Sequence, residues 1–315
     1  MVCWCCRGDS DDMAADRARL LPQAESPRAV QMERAGMENA VQVADGVQRR
    51  RALLVGINYT GTGGELNGCV NDVRKMKAFL TSCGWSETDD SILCLTDDQS
   101  KPHRLPTKAN MIAGMRWLVA GAQPGDVLFF HFSGHGGQQV DPHGDEEDGM
   151  DETICPLDFT VAGQICDDDL FEILASPLPA GCRLTAVLDC CHSGHGMDFP
   201  YTLLQEGHGA FVWNADPHTR HAAADVVLFS GCEDDECSAD ATCRHGQPAG
   251  AMTEAFLEVM SRSEELTYPG LLLSLQHLLE GRGFGQSPQV SSTQPFGLHR
   301  TFSLSDVWPA KVCTP

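Results

Sequence analysis

The chain has 315 residues, 42% of them hydrophobic and 21% charged, so it is long enough and apolar enough for one large core. Its 44 acidic against 22 basic residues leave a net charge of -22, which excludes nucleic acid and anionic membrane surfaces as natural partners and favours a cation or a basic substrate. Fifteen cysteines are scattered without a compact disulfide framework, no charged-then-apolar segment opens the sequence, and no apolar run is long enough for a bilayer. A reduced, cytoplasmic protein without stable membrane insertion is the expectation.

Residues 1–48 carry mixed charge and weak periodicity, which predicts a flexible arm with one short helix near Val30–Val43. Cys3, Cys5 and Cys6 stand beside Trp4 at spacings too tight for a zinc knuckle; Val2 removes the glycine that myristoylation needs, and an unmodified tail is favoured over palmitoylation. Order begins at Ala52–Ile57, a continuous apolar run of the kind buried in a parallel sheet. A glycine-rich loop with Gly61, Gly63 and Gly64 follows, and then Cys69, Val73, Met76 and Leu80 mark one face of a helix. Ile92–Leu95 reads as a strand, and Thr107 as the N-cap of a helix with Ile112, Met115 and Val119 inward.

Asp126–Phe132 is a third strand, ending in Ser133-Gly134-His135-Gly136-Gly137. An acidic loop spans Asp141 to Asp169, followed by a short helix near Leu170–Ala175 and a fourth strand, Leu184–Leu188. Residues 197–224 lose pattern and read as a functional loop or linker. Val226–Phe229 restores a strand, two helices follow near Met252–Met260 and Leu271–Leu279, and Phe302 with Leu304 suggests a final edge strand. Alternating helical and strand signals argue for α/β layers.

Two strands therefore stop on reactive residues: one on His135, the other in Asp189-Cys190-Cys191-His192-Ser193-Gly194. Parallel strands present their carboxyl ends on one edge, where open α/β sheets place chemistry. A thiolate needs a base or cation beside it to be nucleophilic at neutral pH, and a histidine supplies both. Gly136 and Gly137 leave backbone N–H groups accessible for an oxyanion. The residues alone do not choose between Cys190 and Cys191.

The chain resembles the metacaspases, caspase-like cysteine peptidases. The resemblance is carried by Leu53-Leu54-Val55-Gly56-Ile57-Asn58-Tyr59, Leu66-Asn67-Gly68-Cys69-Val70-Asn71-Asp72-Val73, His131-Phe132-Ser133-Gly134-His135-Gly136, Asp189-Cys190-Cys191-His192-Ser193-Gly194, Ser230-Gly231-Cys232-Glu233-Asp234-Asp235 and Gln286-Ser287-Pro288-Gln289. It implies a caspase-like α/β/α sandwich with a mostly parallel central sheet. It also implies His135 as general base, Cys191 as nucleophile, and the backbone N–H groups of Gly136 and Cys191 as oxyanion hole. No third residue to orient His135 is evident from the sequence. The same pattern assigns Asp72, Asp189, Cys69 and Ser133 to the pocket for the residue before the scissile bond, where two carboxylates select Arg or Lys and reject Asp. As a first-turn acid of its helix, Asp72 also compensates the helix dipole in a minor alternative reading, and the two roles are compatible.

The stretch Asp141–Asp169 holds eleven carboxylates and no Lys or Arg, without EF-hand spacing. The family pattern places calcium ligands on Asp151, Asp167, Asp168 and Asp198. Asp198 follows Cys191 by seven residues, so a bound Ca2+ would order the nucleophile's loop. The resemblance divides the chain into the arm (1–48), a large-subunit-like region (49–200), a linker (201–224) and a small-subunit-like region (225–315). Arg220 is the basic residue of that linker and the expected self-cleavage site of a zymogen, with Arg49–Arg51 as a competing site. The expected protein is a monomeric, calcium-activated cysteine endopeptidase acting on proteins or peptides after Arg or Lys. The alternatives are a catalytically silent calcium-responsive scaffold and a Cys/His metal-binding protein.

Overall fold

The computed structural model describes residues 48–141, 149–190, 196–216, 220–231, 240–242, 248–262, 265–284 and 286–304. The expected nucleophile Cys191, the helix expected at Val30–Val43, Cys3, Cys5 and Cys6, and Cys232–Asp235 lie outside them. The first half contains β1 (Arg50–Gly56), α1 (Cys69–Ser82), β2 (Ile92–Thr96), α2 (Lys108–Val119), β3 (Val127–Ser133), β4 (Gly136–Val140) and β5 (Met150–Ile154). Then come α3 (Phe159–Ala162), β6 (Ile165–Cys166), α4 (Asp167–Leu170) with a wide turn over Phe171–Ala175, and β7 (Arg183–Asp189). The remainder supplies β8 (Tyr201–Glu206), β9 (Ala210–Ala215), β10 (Asp225–Ser230), β11 (Asp240–Thr242), β12 (Pro248–Gly250), α5 (Ala251–Ser261), α6 (Tyr268–Gly281) and β13 (Gln289–Ser292).

Eight strands form one sheet in the order β2-β1-β3-β7-β10-β13-β8-β9. The first five run parallel and the last three are antiparallel. Period-2 alternation sends successive side chains to opposite faces. Leu53, Val55, Phe130, Phe132, Ala186 and Leu188 pack toward α2 and Leu170–Ala175, whereas Leu54, Phe129, Val187 and Phe229 pack toward α1, α5 and α6. Burial on both faces is why these strands read as continuous apolar runs. The expected α/β/α sandwich is present.

Thr107 caps α2 as expected, its Oγ1 accepting from the Asn110 N–H at 3.3 Å. The buried stripe is Met111, Met115 and Leu118, while Ile112 and Val119 are half-buried at its margin.

Three segments differ from the sequence reading. The acidic stretch after Asp141 is not one loop: β4, β5 and β6 form a small antiparallel sheet, and β5 buries both of its acids, Asp151 and Glu152. Asp158 there accepts from the Lys108 N–H at 2.8 Å and so serves the start of α2. The segment read as a patternless linker contains the hairpin β8–β9, which extends the sheet. It is half exposed, so its periodicity is diluted, but Trp213 Nε1 ties it to the Phe296 carbonyl at 2.9 Å. Phe302 and Leu304 form no edge strand. Phe302 instead fills the core, edge-on to Phe229 at 5.3 Å, and only Thr301 makes a single bridge, to Thr267. Among the described residues no helix is long and apolar enough to cross a membrane.

Candidate active site

β3 and β7 pair in parallel along their whole length, and their last rung sets Ser133 opposite Asp189. The chain stays tied across this edge, with the Gly134 N–H 3.3 Å from the Asp189 carbonyl. His135 lies two residues past that rung and is buried. The chemistry-bearing ends of two separate sequence segments thus meet at the carboxyl edge, as parallel pairing requires.

The β1–α1 loop supplies what the sequence did not reveal. The Asn58 N–H donates to both Asp97 carboxylate oxygens at 3.1 Å, Asn58 Oδ1 accepts from the Val70 N–H at 3.2 Å, and the Leu66 N–H closes the loop on the Asn58 carbonyl at 2.7 Å. That loop presents the Gly64 carbonyl 2.6 Å from His135 Nε2. A carbonyl only accepts, so the proton of neutral His135 sits on Nε2 and Nδ1 is the basic atom. Gly64 is the missing orienting group. A main-chain oxygen leaves no residue-type signature, which is why the sequence showed only a glycine-rich loop. Gly136 follows His135 directly and opens β4, where it is buried opposite Ile154.

Asp72 and Asp189 converge beside this turn. Ser133 Oγ donates to Asp72 Oδ2 at 2.8 Å, and the Gly250 N–H donates to the same oxygen at 2.9 Å. The Thr253 N–H donates to Asp189 Oδ2 at 2.7 Å. The start of α5 therefore faces both acids, and its backbone donors and dipole offset their shared charge. Burial first, then the Asp189 charge, holds Asp72 well above the usual carboxylate range, with Ser133 and Gly250 pulling the other way. Asp72 Oδ1 is buried and has no hydrogen-bond partner among the described residues. A Cβ at Gly250 would collide with Asp189 Oδ2, so only glycine lets this backbone lie against the acids. Gly250 and Thr253 were not foreseen, because they act through backbone N–H groups. Thr253 also rests on His131, whose Nε2 is 3.0 Å from its Oγ1 and which burial lowers to about 3, hence neutral.

Cys69 starts α1 and is buried. Gly56, at the end of β1, leaves room for its carbonyl; a Cβ there would collide with Cys69 O. Cys190 is 1% exposed, in keeping with a packing role.

A second acidic group lies on the small sheet. Asp151, Cys166 and Asp167 place one ligand atom each within 4.8 Å of one another. Asp167 accepts from the Glu152 N–H at 3.0 Å and the Asp168 N–H at 2.7 Å. Burial, with the charges of Glu152 and Asp151, nonetheless raises it to about 8. Asp168 forms an ion pair with Arg220, which spans from the segment expected to be cut to one of the expected cation ligands. Asp198 is half-buried and takes a left-handed backbone, φ 47°.

A sequence model of the metacaspase, peptidase C14 domain matches residues 50–200. The chain is 43% identical over 296 residues to Metacaspase-1 of Mycosarcoma maydis, an alignment covering 81% of this chain and 73% of that one. The chain belongs to the metacaspase family. Metacaspase-1 of Saccharomyces cerevisiae is 39% identical over 314 residues, covering 85% of this chain and 72% of that one. A metacaspase is a cysteine endopeptidase, so the chain is a hydrolase acting on proteins. The fold agrees: a crystal structure of a protein from Geobacter sulfurreducens superposes with a TM-score of 0.58 at 24% identity, covering 82% of this chain and 99% of that one. This metacaspase thus has a caspase-like fold.

Proposed function

We propose that the enzyme cleaves peptide bonds after Arg or Lys, with Cys191 as nucleophile and His135 as its base. The observation that carries the specificity is the Asp72–Asp189 pair beside the His135 turn, with Asp72 Oδ1 buried and lacking a partner among the described residues. A guanidinium or ammonium satisfies that acceptor and favours ionisation of both acids, whereas an Asp side chain would bring a further carboxylate against them.

His135 takes the Cys191 thiol proton on Nδ1, and the thiolate attacks the scissile carbonyl carbon. The resulting imidazolium protonates the leaving amine, and the C–N bond breaks to leave a thioester. Water, deprotonated by the same imidazole, then releases the acid and restores the thiol. The Gly64 carbonyl keeps the ring's Nε2–H directed away from the reacting atoms throughout. The N–H groups of Gly136 and Cys191 are the donors assigned to the developing oxyanion.

Calcium dependence belongs to the same proposal. Asp151 and Asp167 offer converging carboxylate oxygens, the donors a hard cation prefers. Burial raises the adjacent Cys166 thiol to about 11, so without a metal it is neutral and adds no charge to the carboxylates. Asp151, Asp167, Asp168 and Asp198 would hold Ca2+, which supplies positive charge that draws these segments together. Arg220 pairs with Asp168, so its guanidinium would have to leave that carboxylate for Asp168 to hold a cation, and the linker arginine would then be free for self-cleavage.

Fluorogenic peptides ending in Arg, Lys or Asp, assayed with calcium or chelator, test the reading. Release should follow Arg and Lys, need calcium, and vanish in Cys191→Ala and His135→Ala. Preference for the Asp peptide would refute the pocket; activity surviving Cys191→Ala would refute the nucleophile.

A further inference from the structure

Tyr59 follows β1 and is buried, yet it adopts a left-handed backbone, φ 51°. Such a conformation in a bulky aromatic residue costs free energy and persists only where the surroundings enforce it. Its hydroxyl sits inside a β-ladder. At the position just before β4, the Cys155 N–H donates directly to the His135 carbonyl at 3.0 Å, one half of an antiparallel pair. The reciprocal bond is not direct. The His135 N–H donates to Tyr59 Oη at 3.1 Å, and that hydroxyl donates to the Cys155 carbonyl at 2.5 Å. The tyrosine is wedged between two groups that would otherwise pair.

The same side chain grips the imidazole, with ring centroids 4.6 Å apart and planes 37° from parallel, and Phe159 backs it edge-on at 6.3 Å. The Tyr59 carbonyl accepts from Thr62 N and Thr62 Oγ1 at 3.1 and 2.7 Å, bracing the loop that brings Gly64 to His135 Nε2. Space around the hydroxyl is tight: a Cβ at Gly134 would lie 3.0 Å from it. Burial holds the phenol well above its usual range, so it remains a donor at every working pH.

We propose that Tyr59 is the positioning residue of the catalytic base, spreading the His135–Cys155 pair with its hydroxyl and bracing the imidazole with its ring. The inference rests on the assignment of His135 and Cys191 as base and nucleophile. It distinguishes itself from a packing role by an unusual consequence. In Tyr59→Phe the ladder can close directly, His135 N–H to Cys155 C=O, so the fold survives while the imidazole is displaced. A displacement of about 1 Å costs on the order of 100-fold in rate.

The test compares wild type, Tyr59→Phe, Tyr59→Leu and His135→Ala by iodoacetamide alkylation across pH, quantified at Cys191 by peptide mass spectrometry, with thermal melting alongside. This readout needs neither a substrate nor a known specificity. In wild type the imidazolium lowers the Cys191 midpoint, and His135→Ala raises it toward that of an ordinary thiol. Tyr59→Phe should melt close to wild type, yet show a midpoint shifted toward His135→Ala. Its kcat on whichever peptide wild type cleaves should fall about 10- to 100-fold with KM nearly unchanged. Tyr59→Leu should shift at least as far. A folded Tyr59→Phe with wild-type midpoint and kcat overturns the proposal alone. Identical midpoints in wild type and His135→Ala overturn the base assignment, and this proposal with it.

Discussion

Ser133 of β3 faces Asp189 of β7 across the last rung of their ladder, and its hydroxyl turns aside to Asp72 on α1. One serine thereby links the two acids without separating their charges. Removing one member of a buried charge pairing with substrate costs about 3 kcal/mol, or roughly 100-fold. Asp72→Asn and Asp189→Asn should each lower kcat/KM for Arg peptides by about that factor without improving Asp peptides as substrates. Steady-state kinetics with both peptides decides it; unchanged kcat/KM would remove the pair from recognition.

The same pair makes stability depend on pH. Asp72 is held above its unfolded value, so the folded chain keeps a proton that the unfolded chain has released. That stabilisation is fully present below about pH 4 and is lost as pH rises through the raised folded value. Asp167, raised to about 8, contributes with the same sign. Melting temperatures should therefore decline as pH rises past the ordinary carboxylate range. Asp72→Asn, which is neutral throughout, should flatten that decline. An undiminished slope in Asp72→Asn would mean that Asp72 is ionised in the folded state.

Competition between Arg220 and a cation at Asp168 has a signature apart from activity. In Cys191→Ala, calcium should accelerate tryptic cleavage at Arg220. Calorimetry should also find tighter calcium binding in Arg220→Gln than with Arg220 present. Equal calcium affinities would show that the ion pair and the cation do not compete.

Gly56 tests how the pocket is placed. Alanine there would drive its Cβ into the Cys69 carbonyl and against Val73, pushing the start of α1 away from β1. Overpacking of this kind costs about 1–3 kcal/mol. Since α1 carries Asp72, Gly56→Ala should lose kcat/KM for Arg peptides beyond what its lower melting temperature explains. A variant with full activity and wild-type stability would show that β1 and α1 separate freely.

The layered fold was legible in the residue pattern, because strands buried on both faces need continuous apolar runs and helices need 3.6-residue stripes. His135 and Asp189 stood out there as reactive residues at strand ends, because side-chain chemistry is written in residue types, whereas Asp72 and the pocket role of both acids came from the resemblance to the metacaspases. The hairpin β8–β9 escaped notice because an edge pair half in solvent has mixed polarity, and Phe302 was read as a strand because alternation does not say what a side chain packs against. No residue pattern announced that the Gly64 carbonyl contacts His135, that the N–H groups of Gly250 and Thr253 hold the acids, or that Tyr59 enters the ladder. These are main-chain groups or long-range insertions. Every residue has a carbonyl and nearly every one an N–H, so where they point depends on how distant segments pack.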